Sequence, residues 1–264
     1  MIDCHTHTTH SPDGTASMST MLRSAQRLGL AGITFTEHAE WYPGDEAYGY
    51  LDLDAYFAEL ETTRACCADG TRLLAGIELG NPHEFPEEAA ALLARYPFDL
   101  VIGSVHWLDN LPGWERPIFE QGIEATYQRY FEEVVKMVGS ADFDILGHLD
   151  LVRRDSWDLF HEALPLDPYL ALIDAILEQL VASGRGLEIN TSGLRKGLPE
   201  PVPGLQILTR YRELGGEILV LGSDGHRPEH IGWGFDTARD LARAAGFERV
   251  PRFSQRKIAD WIDL

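Results

Sequence analysis

The sequence has little cysteine and no long apolar run. Its three cysteines, Cys4, Cys66 and Cys67, are odd in number and form no CxxC motif, so we expect free thiols in a reducing compartment. No apolar stretch approaches the ~20 residues that a membrane-spanning helix needs. The first residues also lack the basic segment followed by an apolar one that marks a signal peptide. These absences predict a cytoplasmic protein with no membrane partner.

Basic residues are scarce as well. Lysine and arginine number 22 against 42 aspartates and glutamates, which gives a formal net charge of −20. This charge repels the phosphates of nucleic acids and argues against a nucleic-acid-binding protein. It does not exclude a phosphorylated small molecule as the partner, because bound cations and a few arginines decide the field inside a site.

Low-complexity segments and linkers of shifted composition are also lacking, so residues 1–264 are expected to form one domain. Short apolar runs alternate with helix-period patterns such as Tyr169–Val181, in which apolar residues recur at three- and four-residue spacing. Strand–helix units repeated in this way predict a parallel barrel of the α/β class rather than an open sheet. The predicted strands are Met1–Asp3, Gly32–Thr36, Arg72–Ile77, Leu100–Ser104, Asp144–Leu146, Gly186–Ile189 and Glu217–Leu221.

The residues most able to do chemistry follow these predicted strands. In a parallel barrel the C-terminal ends of the strands converge on one face, where active sites sit. Loops from distant parts of the chain would therefore point into one pocket. In chain order the residues are His5 and His7, Glu37 and His38, Glu78, His106, His148, Asn190 and Arg195, and Asp224 and His226.

The histidines among them have the pattern of metal ligands. Residues two apart on a strand face the same side, so His5 and His7 can reach one ion. His106, His148 and His226 each follow an apolar run and stand near glycine or serine, where a ligand can approach the backbone closely. Imidazole together with carboxylate suits zinc, manganese or iron. The set holds more ligands than a single ion needs.

These segments resemble the motifs of the polymerase-and-histidinol-phosphatase (PHP) family. They occur in the family's order, from residue 5 to residue 226, so the resemblance covers most of the chain. The resemblance implies a single-domain, distorted (β/α)7 TIM-like barrel that holds three divalent metal ions. The matching motifs are His5-Thr-His7 with Asp13, Thr36-Glu37-His38, Gly76-Ile-Glu78, Gly103-Ser-Val-His106, Gly147-His148 and Ser223-Asp224-Gly-His226.

Carried over residue by residue, the resemblance also implies which side chains hold each ion. One ion would take His5, His7, Glu78 and Asp224; a second would share Glu78 and add His106 and His148; the third would take Asp13, His38 and His226. Many family members have histidine at the position of Asp13. A carboxylate there keeps a ligand but makes the third site richer in oxygen, which favours manganese or iron over zinc.

Two arginines indicate a phosphate ester as the substrate. Arg154 and Arg195 follow the fifth and sixth predicted strands, and guanidinium groups present forked donors that match phosphate oxygens. Both segments resemble those of the histidinol-phosphate phosphatases within the family. This implies hydrolysis of L-histidinol phosphate by a hydroxide that bridges two of the ions. Glu78, Asp224 and His226 are the expected catalytic residues; a leaving-group proton could come from Asp224, His226 or bound water.

The surroundings of the site leave several alternatives open. Glu37, His83 and Trp107 are candidates for orienting a ligand or contacting substrate, and acidic and aromatic residues of the same loops could hold cationic and planar groups. Another phosphate ester, such as a nucleotide or sugar phosphate, is a second possible substrate, and a non-catalytic metal-binding module is a third interpretation. A monomer and a homodimer are both compatible with the sequence. The other mouth residues are Glu40, Trp41, Tyr42, Asp45 and Glu46.

Overall fold

A computed structural model describes residues 1–67 and 70–264 of the chain. In chain order its strands are β1 (Ile2–Thr6), β2 (Gly32–Ala39), β3 (Arg72–Gly80), β4 (Leu100–Ser104), β5 (Trp107–Leu108), β6 (Leu111–Pro112), β7 (Ile145–Leu146), β8 (Gly186–Asn190), β9 (Leu219–Gly222), β10 (Arg249–Ser254) and β11 (Lys257–Asp263). The α-helices are α1 (Met18–Arg27), α2 (Leu53–Ala65), α3 (Pro86–Arg95), α4 (Ile123–Ser140), α5 (Leu151–Phe160), α6 (Leu170–Ser183), α7 (Ser192–Arg195), α8 (Leu205–Glu213) and α9 (Phe235–Ala244). Short 3-10 helices lie at Arg116–Phe119, Asp167–Tyr169 and Pro228–His230.

The parallel strands form one seven-stranded sheet in the order β1-β2-β3-β4-β7-β8-β9. The sheet curls until its last strand returns to its first: the N–H of Asp224 donates to the carbonyl of His5 at 2.9 Å, and that of His7 to the carbonyl of Gly225 at 2.9 Å. Helices cover the outside of the sheet, so its strands are buried on both faces. The prediction of a seven-stranded α/β barrel is confirmed.

Apolar packing holds the barrel on both sides of its strands. The larger cluster lies between strands and helices; α1, for example, buries Met18, Met21, Leu22 and Ala25 at helical spacing. A smaller cluster fills the barrel interior at the N-terminal halves of the strands, and Phe253 from the β10–β11 hairpin packs into it. The interior above this cluster carries polar side chains. The smaller apolar cluster consists of Ile2, Cys4, Leu74, Leu100, Ile102, Ile145, Val220 and Phe253.

Three strands extend three residues further than the sequence predicts, whereas β8 and β9 end one residue later than predicted. The apolar runs end at Asp3, Thr36 and Ile77, but β1, β2 and β3 each continue for three more residues. The reason is that β2 and β3 stay paired through their polar ends, where His38 lies opposite Glu78. His5, Glu37, His38 and Glu78 were expected to follow their strands and lie inside them instead, which gives these side chains a rigid base.

The described residues include no helix that is both long and apolar enough to cross a bilayer.

Candidate metal centre

The C-terminal ends of the barrel strands meet around a cavity of about 430 Å³. His5, His38 and Glu78 project from β1, β2 and β3, and the remaining donors stand on the turns that follow β1, β4, β7 and β9. The sheet order places these turns side by side even though their residues are up to about 220 positions apart in the chain. The donors on the turns are His7, Asp13, His106, His148, Asp224 and His226.

Glu78 is the centre of the arrangement. Its Oε2 lies 3.0 Å from Nδ1 of His38, 3.2 Å from Nε2 of His5 and 3.5 Å from Nε2 of His7. Its Oε1 lies 2.9 Å from Nε2 of His148 and 3.2 Å from Nε2 of His106. One carboxylate therefore faces imidazoles on both of its oxygens, which is the position of a bridging ligand.

Asp224 and Asp13 extend the cluster on either side. Oδ1 of Asp224 lies 3.6 Å from Nε2 of His7 and 3.9 Å from Nε2 of His5. Oδ2 of Asp13 lies 2.9 Å from Nε2 of His226 and 3.7 Å from Nε2 of His38. Asp224 is buried, whereas the Asp13 side chain is half exposed. All nine residues expected from the sequence to bind metal are thus within one connected cluster.

The donor set fits divalent metal ions. Within the part of the chain that the structure describes, Nε2 of His5, Nε2 of His7, Nδ1 of His38 and Oε2 of Glu78 are buried without a hydrogen-bond partner. Buried polar atoms normally have partners, so such a convergence indicates atoms whose partner is an ion. Groups such as His5, His7 and Asp224 lie close enough for one ion. Imidazole nitrogen and carboxylate oxygen suit zinc and similar metals.

The charges of the carboxylates in the cluster also favour the binding of cations. Burial alone would raise the pKa of Glu78, but the imidazoles of His5 and His106 hold it well below its ordinary value. Burial opposes protonation of His5, yet the carboxylates of Glu78 and Glu188 raise its pKa well above the usual range. In the same way Glu78 and Glu40 outweigh burial and raise the pKa of His106 to about 10. Protons or metal ions could supply the positive charge that the carboxylates require.

Three more buried carboxylates stand behind the imidazoles. Glu188 accepts from Nδ1 of His5 at 2.8 Å, and Glu40 accepts from Nδ1 of His106 at 2.6 Å. Glu37 accepts from the hydroxyl of Ser11 at 2.7 Å, and that hydroxyl lies 3.4 Å from Nδ1 of His7. Glu40 was considered only as a substrate contact, and Glu188 was overlooked as a site residue. The sequence holds one signal for both, because each is an acidic residue two positions from a site residue: Glu188 lies on β8 before Asn190, and Glu40 directly follows β2, two positions after His38.

The two arginines differ in what they contact. Arg154 lines the cavity, and its Nη1 donates to Oδ2 of Asp224 and to the hydroxyl of Ser192, both at 3.0 Å. Arg195 directs its guanidinium at main chain: it donates to the carbonyl of Ser223 and, at 2.7 Å, to that of Asp224. Arg154 therefore faces the place where a ligand would lie, whereas Arg195 supports the segment that carries Asp224.

The mouth of the cavity combines acidic and aromatic side chains. Trp107 and Trp114 line it together with Asp45, Glu46 and Glu115, and the indole N–H of Trp107 donates to Asp45 at 2.7 Å. The ring of Tyr42 stacks on that of Trp107, with ring centroids 4.7 Å apart. The loops therefore present negative charge and flat apolar faces to the opening.

Not every candidate of the mouth reaches the cavity. Nε2 of His83 donates to Oε1 of Glu133 at 2.6 Å, and its imidazole is buried away from the cluster around Glu78. Trp41 packs instead near the ring of Phe85, with centroids 6.0 Å apart. These two residues are therefore outside the set that the barrel brings together.

Comparisons with known proteins agree with this geometry. A sequence model of the PHP domain matches residues 3–192. A probable histidinol-phosphatase of Clostridium acetobutylicum is 29% identical over 255 residues, which cover 95% of this chain and 96% of that protein. A histidinol-phosphatase of Lactococcus lactis is 29% identical over 261 residues, covering 97% and 96%. The fold is similar to the crystal structure of histidinol phosphate phosphatase from Lactococcus lactis complexed with zinc, L-histidinol and phosphate, with a TM-score of 0.87 at 26% identity over 98% of both chains.

Proposed function

Since the chain belongs to the PHP domain family, we propose that it is a metal-dependent phosphatase that hydrolyses L-histidinol phosphate to L-histidinol and phosphate. Residues 1–264 act as one phosphatase domain in this proposal. The observation that carries it is the cluster of imidazoles and carboxylates around Glu78, with the guanidinium of Arg154 on the wall of the same cavity. A cavity of that kind binds metal and a phosphoryl group side by side.

The ligand sets follow the cluster. His5, His7, Glu78 and Asp224 would hold one ion; Glu78, His106 and His148 a second; Asp13, His38 and His226 a third. Oε1 and Oε2 of Glu78 face the donors of different ions, which supports its role as a bridge. Divalent ions held in these positions would supply a water nucleophile of lowered pKa and would neutralise charge on the phosphoryl oxygens. Zinc, manganese and iron all suit these donors.

The chain's own residues bind and orient the ester. Arg154 is fixed by Asp224 and Ser192, so its remaining N–H groups are positioned for phosphoryl oxygens. Arg195 holds the backbone of Ser223 and Asp224 and adds positive charge beside them. The imidazole of His226 stands at the exposed side of the cluster, with Nε2 2.9 Å from Oδ2 of Asp13, so it would hold the third ion where solvent reaches the site, and a water bound there could pass a proton to the leaving alkoxide.

The mouth of the cavity supports L-histidinol phosphate over other esters. That substrate carries an ammonium group and an imidazole, and the opening offers Asp45, Glu46 and Glu115 beside the flat faces of Trp107 and Trp114. Carboxylates pair with the ammonium group and indole faces attract cationic or planar groups. The relatives named as histidinol-phosphatases, which align over nearly the whole chain, support the same substrate.

The proposal is tested by phosphate release from L-histidinol phosphate, measured beside nucleotide, sugar and amino-acid phosphates with protein of known metal content. We expect a strong preference for L-histidinol phosphate. Hydrolysis confined to the other esters would refute the substrate while keeping the metal site. Fully metallated protein that cleaves none of them would favour a metal-binding module without activity.

The arginines can be separated by substitution. Arg154→Ala is expected to lower kcat/KM by about 10²–10³-fold, the usual loss when one charge-stabilising donor is removed from a site.

Arg195→Ala is also expected to lower kcat/KM severely, and the metal content of the variant distinguishes two causes of that loss. Unchanged metal would mean a direct contact of Arg195 with phosphate, whereas lost metal would mean that it acts by holding Asp224. Lys196→Ala, at an exposed neighbour paired with Asp158, is the control, and full activity of Arg154→Ala would remove Arg154 from the site.

A further inference from the structure

Glu188 is a carboxylate enclosed in the wall of the barrel. It projects from β8 on the same face as Asn190, between the core residues Leu187 and Ile189, and its side chain has no solvent exposure. A buried ionised carboxylate is costly unless donors surround it. The metal ligands proposed above do not include Glu188, so its burial needs another reason.

Glu188 contacts donors from two different ion sites. Its Oε1 accepts from the ring Nδ1 of His5 at 2.8 Å, and its Oε2 accepts from the backbone N–H of His148 at 2.8 Å. The side-chain amide of Asn190 also donates to Oε2, at 3.2 Å, and lies 3.4 Å from Oδ2 of Asp224. By comparison, the hydrogen bond of Glu40 goes to a single imidazole, that of His106 at 2.6 Å, while Nδ1 of His38 lies 3.9 Å from its Oε1. Glu188 therefore links the ligands of the first ion to a ligand of the second.

The barrel leaves room for this carboxylate at one glycine. A Cβ atom placed on Gly222 would lie 1.9 Å from Oε1 of Glu188 and 2.6 Å from Cβ of His5. Any larger residue would push the carboxylate off the imidazole. The fold therefore accommodates Glu188 against His5 at the closing strands of the barrel.

We infer that Glu188 is a positioning residue that sets the tautomer of His5 and fixes the relative position of the first two ion sites. A carboxylate can only accept, so it keeps the proton of His5 on Nδ1 and leaves Nε2, the atom that faces Glu78, free to bind an ion. The same carboxylate holds the backbone of His148. This inference rests on the proposed metal-dependent function and names the residue that organises its centre.

The test is Glu188→Gln, with Glu40→Gln as the matched variant. An amide has one accepting and one donating end, so it can accept from Nδ1 of His5 or from the backbone N–H of His148, but not from both. If its N–H faced His5, the proton of the imidazole would move to Nε2 and block the ion. We expect zinc affinity to fall by about 10–100-fold, the usual effect of losing such a partner. The zinc affinity of two sites should fall in Glu188→Gln, and that of one site should fall in Glu40→Gln.

The measurement is a zinc titration of metal-free protein against a competing chromophoric chelator, which needs no substrate. Melting of the metal-free proteins is followed in parallel. Glu188→Gln with wild-type zinc affinity, or with only one weakened equivalent, would overturn the inference. So would a lower melting temperature of the metal-free variant with unchanged zinc affinity, since that is a structural role alone. Wild-type protein that binds neither zinc, manganese nor iron(II) would refute the proposed function instead.

Gly222→Ala provides a second route to the same result. It retains the charge of Glu188 but places a methyl group 1.9 Å from Oε1, so the carboxylate must leave Nδ1 of His5. The methyl group also lies 2.6 Å from Cβ of His5, so the decisive result of this variant is whether zinc affinity is retained. We expect the same two zinc equivalents to weaken, and kcat to fall while KM for the ester changes little because Arg154 is untouched. Tight binding of all zinc equivalents by Gly222→Ala would contradict the inference even if Glu188→Gln did not fold.

Discussion

Replacing Glu78 with glutamine is expected to lower kcat/KM for the phosphate ester by about a thousandfold or more. Both oxygens of this carboxylate face imidazoles, at 2.9–3.5 Å, and the hydroxyl of Ser104 donates to it at 2.7 Å. An amide keeps the shape but loses the negative charge and one of the two accepting atoms. Metal-derived charge stabilisation is worth several kcal/mol, and about 1.4 kcal/mol corresponds to a factor of ten in rate. The loss should therefore be among the largest that a single substitution causes here.

Steady-state kinetics together with metal content measure this effect. We expect Glu78→Gln to bind fewer metal equivalents than the wild type, because the same carboxylate is proposed to serve two ions. Glu133→Gln is the matched control: it removes another carboxylate paired with a histidine, His83, outside the cavity. Glu78→Gln that keeps its metal and loses less than tenfold in kcat/KM would show that Glu78 does not bridge.

Removing the metal is expected to abolish hydrolysis and to lower the melting temperature by roughly 8–16 °C. An ion that binds only the folded chain, at a free concentration about 1,000 times its Kd, stabilises it by about 4 kcal/mol. For a chain of this size each kcal/mol corresponds to roughly 2–4 °C. The ligands come from different strands of the barrel, such as His5 on β1 and Glu78 on β3, so the ions link elements that unfolding separates.

Calorimetric melting before and after chelation, with metal measured in both samples, tests this expectation. Zinc, manganese or iron(II) added back separately should restore both activity and melting temperature, and the extent of recovery ranks the metals. A matched sample treated with metal-saturated chelator controls for direct effects of the chelator on the protein. Chelated protein that holds no metal yet hydrolyses the ester at the original rate would exclude a metal-dependent reaction.

The fold could be predicted to the level of strand order, because buried parallel strands have a strong local signature. A strand covered on both faces needs apolar residues at nearly every position, and runs such as Leu100–Ser104 meet that need in a few residues. The ends of β1, β2 and β3 could not be predicted in this way. There the inward positions hold histidine and glutamate, and only the partners supplied by other strands make a polar strand end stable.

The site likewise combines residues that the sequence predicts with contacts that only the fold shows. His5, His7 and Asp13 were predicted from motifs close together in the sequence. The barrel brings His5 and His7 near Glu78 and Asp224, and Asp13 near His226 and His38. Their roles as metal ligands remain predictions. Contacts between distant strands had no comparable signal: Glu188 meets His5 from 183 positions away, and Glu40 meets His106 from 66 positions away. Arg195, predicted from the sequence to contact phosphate, donates to main chain in the fold, and its contact with phosphate stays a prediction.

The sequence by itself determined the alternation of strands and helices, the family, and the residues that could bind metal, because hydrophobic periodicity and ligand chemistry are properties of short segments. Only the tertiary structure decided which carboxylate stands behind which imidazole, and which arginine faces the cavity. Those pairings depend on how the barrel closes β9 against β1, and on the space that a glycine such as Gly222 leaves for a neighbouring side chain. Distances of this kind arise when strands far apart in the chain pack together, so they are not encoded in any one segment.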